Sequence, residues 1–302
     1  MLFDISKADI EEIHDDLFSE KQVGVSVLRL DKIHPLVSGN KIFKLHYFLE
    51  EARGSTHKTI LSFGGAYSNH LAATAYACKA SGLSSIGIVR GEAPTRLSPT
   101  LQQCVEDGML LQFVSRTEYD VKETIEFNNK LKTQFGEFML VPEGGFHPLG
   151  AKGAALIYHL IPGKKYTHIA LATGTATTLA GMLRAADADQ QVISIPVLKG
   201  ITDNKERIKQ LNGVDAEYKN LEILSDYHFG GYAKKTTFLT DFMNLCHQRY
   251  RLQLDFVYTA KMFFAITDRI KNDGFKKGSQ ILCLHTGGLQ GNKSLPLNTL
   301  LF

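Results

Sequence analysis

Short apolar runs alternate with longer amphipathic stretches along most of the chain, as is typical of strand–helix units around a largely parallel sheet. The apolar runs predict strands at residues 59–63, 85–90, 110–114, 138–141, 168–172, 191–197 and 280–285. The amphipathic stretches predict helices at residues 42–52, 70–80, 97–107, 120–134, 150–161, 178–186, 205–211, 238–250 and 260–273. Residues 213–235 show only weak strand and loop signals. We therefore expect an α/β fold.

Three turns that contain glycine each follow a predicted strand, at residues 64–69, 173–178 and 285–288. In open α/β sheets, ligands bind beyond the carboxyl ends of the strands, where such turns lead into helix N-termini. The three turns therefore predict one shared site. The length of 302 residues corresponds to about two domains of ordinary size or one large domain. No Pro/Ser-rich linker marks a boundary between domains.

A lysine directly after Gly39-Asn40 opens a predicted amphipathic helix, and a second lysine follows three residues later. Near a helix N-terminus the positive end of the helix dipole lowers the pKa of an amine such as that of Lys41. A neutral amine can form a Schiff base with a carbonyl compound. The alternative is a solvated surface lysine, which is the common case at a helix start.

The other two turns lack the signatures of several large enzyme classes. In the turn at 64–70, Ser68 and Asn69 could simply cap a helix, and the G-x-S-x-G elbow of serine hydrolases is not matched. The turn at 173–178 combines backbone N–H groups with hydroxyls at a helix start, which suits a phosphate group. It matches neither the P-loop nor the dinucleotide motif. A monophosphate is therefore the expected ligand.

Composition and charge narrow the function classes further. Apolar residues make up 44% and charged residues 22%, and the net charge of +3 gives no reason to expect a nucleic-acid partner. No run of eighteen apolar residues is present and an acid stands at Asp4, so we expect a cytoplasmic protein without a membrane segment. The four cysteines are far apart, which predicts buried free thiols and no metal site.

A lysine for a Schiff base, an asparagine-bearing turn and a hydroxyl-rich phosphate turn are what pyridoxal 5′-phosphate (PLP) requires. The segments Gly39-Asn40-Lys41-Ile42-Phe43-Lys44-Leu45 and Gly64-Gly65-Ala66-Tyr67-Ser68-Asn69-His70 resemble the 1-aminocyclopropane-1-carboxylate (ACC) deaminase and D-cysteine desulfhydrase family of PLP enzymes. The resemblance runs from about residue 28 to residue 288. It implies the tryptophan synthase β-like fold, with two open, twisted, mostly parallel sheets flanked by helices. It also implies a small domain at 42–141, a large PLP-binding domain at 1–41 plus 142–302, and a homodimer.

The resemblance also assigns site residues. It makes Lys41 the residue that carries PLP, Lys44 a second lysine at the cofactor, and Ser68, Tyr232 and Tyr258 catalytic residues. Ser68, Asn69 and His70 would bind the amino-acid substrate, and Asn69 would also contact the ring oxygen of PLP. The remaining cofactor contacts would be Gly174, Thr175, Ala176, Thr177, Thr178, Thr259 and Thr286. The phosphate turn departs from the family pattern, because Ala176 and Thr177 replace adjacent glycines.

Thr259 and Thr286 bear on the substrate. ACC deaminases typically carry Glu and Leu at these positions, whereas the desulfhydrases carry hydroxyl residues. A carboxylate at the pyridine nitrogen makes the cofactor a stronger electron sink, which opening of a cyclopropane ring needs more than loss of sulfide does. The two threonines therefore favour β-elimination of D-cysteine to pyruvate, sulfide and ammonia. The alternatives are ACC deamination to 2-oxobutyrate and ammonia, a PLP-binding protein without catalysis, or threonines that only pack.

Overall fold

The structure is a computed structural model that describes residues 4–213 and 218–302. Part of the weakly patterned 213–235 stretch, residues 214–217, and the first three residues lie outside the described residues. The strands are β1 (Ile10–Ile13), β2 (Gly24–Arg29), β3 (Thr59–Gly64), β4 (Ser84–Arg90), β5 (Met109–Val114), β6 (Met139–Val141), β7 (His168–Thr173), β8 (Gln191–Pro196), β9 (Leu221–Ile223) and β10 (Gln280–His285). The α-helices are α1 (Asp16–Glu20), α2 (Lys41–Gly54), α3 (Asn69–Ala80), α4 (Pro99–Glu106), α5 (Arg116–Asp120), α6 (Ile125–Phe135), α7 (Pro148–Ala155), α8 (Thr177–Ala185), α9 (Asn204–Asn212), α10 (Thr237–Tyr250) and α11 (Thr259–Lys271).

The strands form two sheets, and the expected α/β fold with two mostly parallel sheets is confirmed. The larger sheet has six strands in the order β1-β2-β10-β7-β8-β9, and the smaller has four in the order β5-β4-β3-β6. Within the described residues, every strand pair is parallel except β1–β2, which is antiparallel. Interior strands of a parallel sheet are covered on both faces, which explains why the sequence predicted them as continuous apolar runs.

Some elements of the structure were not predicted. They are strands β1, β2 and β9 and helices α1 and α5; β1 and β9 lie at the two edges of the larger sheet, and β2 lies inside it. The helix predicted at 120–134 corresponds to α6, and α5 ends where that prediction begins. Ser115 caps α5 in a capping box with Glu118, and the side chain of Thr124 then accepts a hydrogen bond from the backbone of Phe127 to begin α6.

Helix α2 lies in a hydrophobic core that both sheets share. Phe43 and Phe48 of this helix are fully buried in one cluster with Ile60 of β3 and Ile169 of β7. Burial of each such side chain contributes roughly 1.5–3 kcal/mol. The lysine at the start of α2 therefore lies where the two sheets meet. The domain boundaries at 42–141 and 142–302 stay a prediction.

The cysteine side chains and the helix lengths bear on the two remaining expectations. All four cysteines are free and buried, as predicted, and burial raises the pKa of Cys78 and Cys283 to about 12. Such thiols are poor nucleophiles at neutral pH. In the part of the chain that the structure describes, no helix has the length and apolar character needed to cross a lipid bilayer.

Candidate active site

The backbone before Lys41 is held against the end of strand β10. The N–H of Asn40 donates to the carbonyl of Thr286 over 3.3 Å, and the Asn40 side chain donates to the hydroxyl of Thr178 over 2.7 Å. Gly39 has a φ of +70°, and a Cβ at this position would collide with the Thr286 carbonyl. Glycine is therefore required here both by its positive φ and by the close approach of the two backbone segments. These contacts place Lys41 beside two of the three predicted turns.

The side chain of Lys41 extends toward Tyr258. Its Nζ lies 5.6 Å from the centre of the Tyr258 ring. Burial lowers the pKa of Lys41 to about 8, and the negative charge of Asp255 partly opposes that shift. An appreciable fraction of the amine is therefore neutral near physiological pH, which is the form that reacts with a carbonyl compound.

Lys44 and His70 lie together on the small-sheet side of Lys41. A Cβ at Gly145 would lie 3.4 Å from Lys44 Cβ and 4.0 Å from His70 Cε1, and Lys44 Nζ donates to the carbonyl of Gly144 over 3.0 Å. Burial, and then the nearby Lys41 charge, hold the pKa of Lys44 well below its usual value. Burial and both lysine charges lower the pKa of His70 to about 3. The imidazole is therefore neutral throughout the physiological range.

The first predicted turn, at residues 64–69, leads into helix α3. The hydroxyl of Ser68 accepts a hydrogen bond from the backbone N–H of Leu71, so the serine caps the helix as one alternative expected. Its role toward a substrate stays a prediction. A Cβ at Gly288 would lie 3.2 Å from Asn69 Nδ2 and 3.4 Å from Asp255 Oδ1, so the third turn passes close to both side chains. The structure thus brings the first and third turns together.

The hydroxyl-rich turn leads into helix α8, as expected. The hydroxyls of Thr175 and Thr177 are 2.9 Å apart, and Ala176 has a φ of 63° in the left-handed region. Ala176 therefore adopts a backbone conformation that glycine usually occupies, and an alanine there carries some backbone strain. A Cβ at Gly174 would lie 3.2 Å from Tyr258 Cε1. Tyr258 accordingly lies between this turn and Lys41.

The two predicted site tyrosines are neighbours. Their ring centres are 6.1 Å apart in an edge-to-face arrangement, and Tyr232 is 50% exposed. Burial, and then the charge and hydrogen-bonding interaction with Tyr232, raise the pKa of Tyr258 well above its usual value. Burial also raises the pKa of Tyr232, and its interaction with Tyr258 opposes that rise. Both phenols are therefore protonated at neutral pH and are suited to donate hydrogen bonds rather than to remove a proton.

Sequence reasoning missed Asp255, a carboxylate that accounts for the environment of Thr259. Asp255 is fully buried and accepts hydrogen bonds from the backbone N–H groups of Val257, Tyr258 and Thr259. The Thr259 hydroxyl donates to Asp255 Oδ1 over 2.7 Å. An acid just before the first helical residues is a known N-terminal signal, so the position of Asp255 before α11 could have been noticed. Its contact with the site could not.

Several buried polar atoms around Lys41 have no hydrogen-bond partner among residues 4–213 and 218–302. They are Asn40 Oδ1, Asn69 Oδ1 and both ring nitrogens of His70. Buried polar atoms are nearly always hydrogen-bonded, so this group indicates a polar ligand. The free N–H groups and hydroxyls at the start of α8 suit a phosphate, and Lys41 suits an aldehyde. The residues present therefore fit PLP.

Comparison with protein families supports the same cofactor. Residues 16–287 match a family model described as "Pyridoxal-phosphate dependent enzyme". A curated protein of Pyrococcus abyssi is 28% identical over 288 residues, which cover 90% of this chain and 87% of the relative. A Thermotoga maritima protein is 29% identical over 290 residues, with 90% and 91% coverage. Both carry the name "Putative 1-aminocyclopropane-1-carboxylate deaminase".

Solved structures share the architecture. The crystal structure of an ACC deaminase homologue superposes with a TM-score of 0.77 at 25% identity, covering 95% of this chain and 90% of that protein. A hydrogen sulfide-producing enzyme from Fusobacterium nucleatum superposes with a TM-score of 0.69 at 15% identity and 96% and 97% coverage. The second similarity is one of fold alone. The neighbours share the expected tryptophan synthase β-like fold.

Proposed function

The chain belongs to the pyridoxal-phosphate-dependent enzyme family, and from that premise we propose that it eliminates sulfide from D-cysteine to give pyruvate and ammonia. The protein is a PLP-dependent lyase of the ACC deaminase and D-cysteine desulfhydrase type. Our proposal concerns which amino acid it uses as substrate.

The environment of Thr259 supports D-cysteine. The resemblance gives ACC deaminases a glutamate at this position, whereas this chain has a neutral hydroxyl whose proton is donated to Asp255. Thr259 therefore offers a lone pair rather than a charge of its own. Elimination of sulfide, a good leaving group, needs less electron withdrawal than opening of a cyclopropane ring, so a neutral group suffices.

Bound PLP supplies an electron sink that draws charge away from the substrate Cα. The residues of this chain provide the proton transfers. Lys41, with its pKa near 8, can take the Cα proton as a neutral amine, and the resulting ammonium can pass that proton to the departing sulfide. Tyr258 and Tyr232, which stay protonated, can donate hydrogen bonds to the departing sulfur. Asn69 and the neutral His70 offer unpaired polar atoms for the substrate.

ACC deamination is the second candidate, and two observations favour it. The buried carboxylate of Asp255 accepts a hydrogen bond from the Thr259 hydroxyl. The site therefore contains a negative charge near Thr259 that the sequence did not indicate. The curated relatives are named as ACC deaminases. Both candidates use the same lysine and the same cofactor and differ in the product.

The test compares products from the purified holoenzyme. We expect D-cysteine to yield sulfide and pyruvate, and ACC to yield little 2-oxobutyrate. Release of 2-oxobutyrate from ACC at a comparable or higher rate would replace the proposal with the second candidate. Lys41→Ala should abolish both the visible absorption of lysine-bound cofactor and turnover. The double variant Thr259→Glu, Thr286→Leu should lower sulfide release and raise release of 2-oxobutyrate from ACC; if the chain is already an ACC deaminase, ACC turnover should be no better than before.

A further inference from the structure

A third buried lysine lies next to the site and has no role in the chemistry above. Lys261 is fully buried in helix α11, two residues after Thr259. Its Nζ donates to the carbonyl of Gly231 over 2.8 Å and approaches the carbonyl of Val197 at 3.4 Å. Lysine is almost never fully buried unless its amine is paired. The side chain thus joins α11 to two distant segments.

Both segments bear on Tyr232. Val197 directly follows strand β8, which belongs to the larger sheet, whereas Gly231 directly precedes Tyr232. The turn that carries Tyr232 is irregular, with φ values of 85° at Gly230, 117° at Gly231 and 52° at Ala233. Such a turn belongs to no strand or helix and takes its position from contacts of this kind. Lys261 therefore ties the turn to the rigid end of a strand.

We propose that Lys261 is a positioning residue that holds Tyr232 against Tyr258 by donating to the Gly231 carbonyl. The proposal rests on the proposed function, because it gives Tyr232 a place in the reaction. Helix α11 begins with Thr259, directly after Tyr258, so the helix that carries Lys261 also places the second tyrosine. One helix thereby sets the spacing between the two phenols.

The charges nearby agree with this role. Burial lowers the pKa of Lys261 to about 8, and the negative charge of Asp255 opposes the shift. The same carboxylate acts on Lys41. Burial of a polar amine is costly unless it is hydrogen-bonded, and a leucine or methionine would fill the space without that cost. The hydrogen bonds to the carbonyls of Gly231 and Val197 offset the free-energy cost of burying the Lys261 amine.

The test uses Lys261→Met, which keeps the stem and removes the donors, and Lys261→Gln, which keeps a neutral donor on a shorter chain. Lys271→Met is the matched control, because Lys271 is exposed near the end of the same helix. Hydrogen exchange of the peptide that spans Gly230 to Ala233 is measured in each holoenzyme. The kcat and KM for D-cysteine are measured for each variant alone and combined with Tyr232→Phe.

We expect faster exchange in this peptide and a kcat lowered by about tenfold or more in Lys261→Met, with cofactor absorption retained. Lys261→Gln should recover part of the kcat, and Lys271→Met should match the wild type. In the Tyr232→Phe background, Lys261→Met should change kcat by less than about twofold, because both changes remove the same contribution.

Equal additional losses in the two backgrounds, or unchanged exchange in Lys261→Met, would overturn the proposal. If both Lys261 variants fail to fold, the side chain is a core residue and the positioning role is refuted. Failure of the proposed function is distinct, because then the wild-type holoenzyme itself releases no sulfide. The exchange measurement needs no substrate and separates the two results.

Discussion

Replacing Asp255 by asparagine tests the part of the site that the sequence did not indicate. Asp255 accepts four hydrogen bonds, two at each carboxylate oxygen. Asparagine keeps one oxygen and presents an NH₂ group in place of the other. Two of the four donors therefore lose their acceptor, whichever way the amide turns.

The loss can be worked from these bonds. A hydrogen bond to a charged acceptor contributes roughly 1.5–3 kcal/mol, so two of them amount to about 3–6 kcal/mol. Relief from burying a charge offsets part of this sum, which leaves a decrease of about 2–4 kcal/mol in the free energy of unfolding. The negative charge beside Lys41 also disappears, and the pKa of Lys41 should fall further because Asp255 currently raises it.

Urea unfolding of the cofactor-free protein measures the first effect, and the pH dependence of PLP capture by Lys41 measures the second. Asp203→Asn is the control, because Asp203 is half-exposed and forms an i,i+4 pair with Arg207, worth about 0.5 kcal/mol or less. A stability loss under about 1 kcal/mol in Asp255→Asn would refute the hydrogen-bond reasoning. A capture midpoint that stays in place or moves to higher pH would refute the electrostatic reasoning.

Three further predictions follow from the same contacts. The rate of PLP capture by the wild-type apoprotein should rise with pH through a midpoint near 8, because only the neutral Lys41 amine reacts; a midpoint near 10.5 would show a solvated lysine. Gly39→Ala should lower the free energy of unfolding by at least about 2 kcal/mol in urea, because of strain and the clash with Thr286, whereas Gly54→Ala, which meets open space, should not. The four buried thiols should resist a disulfide reagent in the native protein and all react in urea; rapid reaction without urea would contradict their burial.

The resemblance and the apolar pattern together account for much of the fold. The interior strands β3, β7 and β10 were predicted within a residue or so, because burial on both faces leaves a continuous apolar run, whereas the interior strand β2 was missed. Edge strand β1 was missed because its two central residues are acidic. The glycine turns were predicted to meet, since the carboxyl ends of parallel strands lie at one edge of a sheet.

From the sequence, the family resemblance indicated Lys41, and local patterns indicated most helix starts and the hydroxyl-rich turn, because such patterns depend on neighbours a few residues apart. Only the tertiary structure decided the charges around them. Asp255 acts on both Lys41 and Lys261, and Lys261 reaches Gly231, thirty residues away in the chain. The pKa of a buried amine depends on lost solvation and on charges that arrive from distant segments. Local spacing predicted a lowered pKa of Lys41 from the helix dipole, whereas the burial that lowers it and the support of Tyr232 arise from packing and could not be deduced from that spacing.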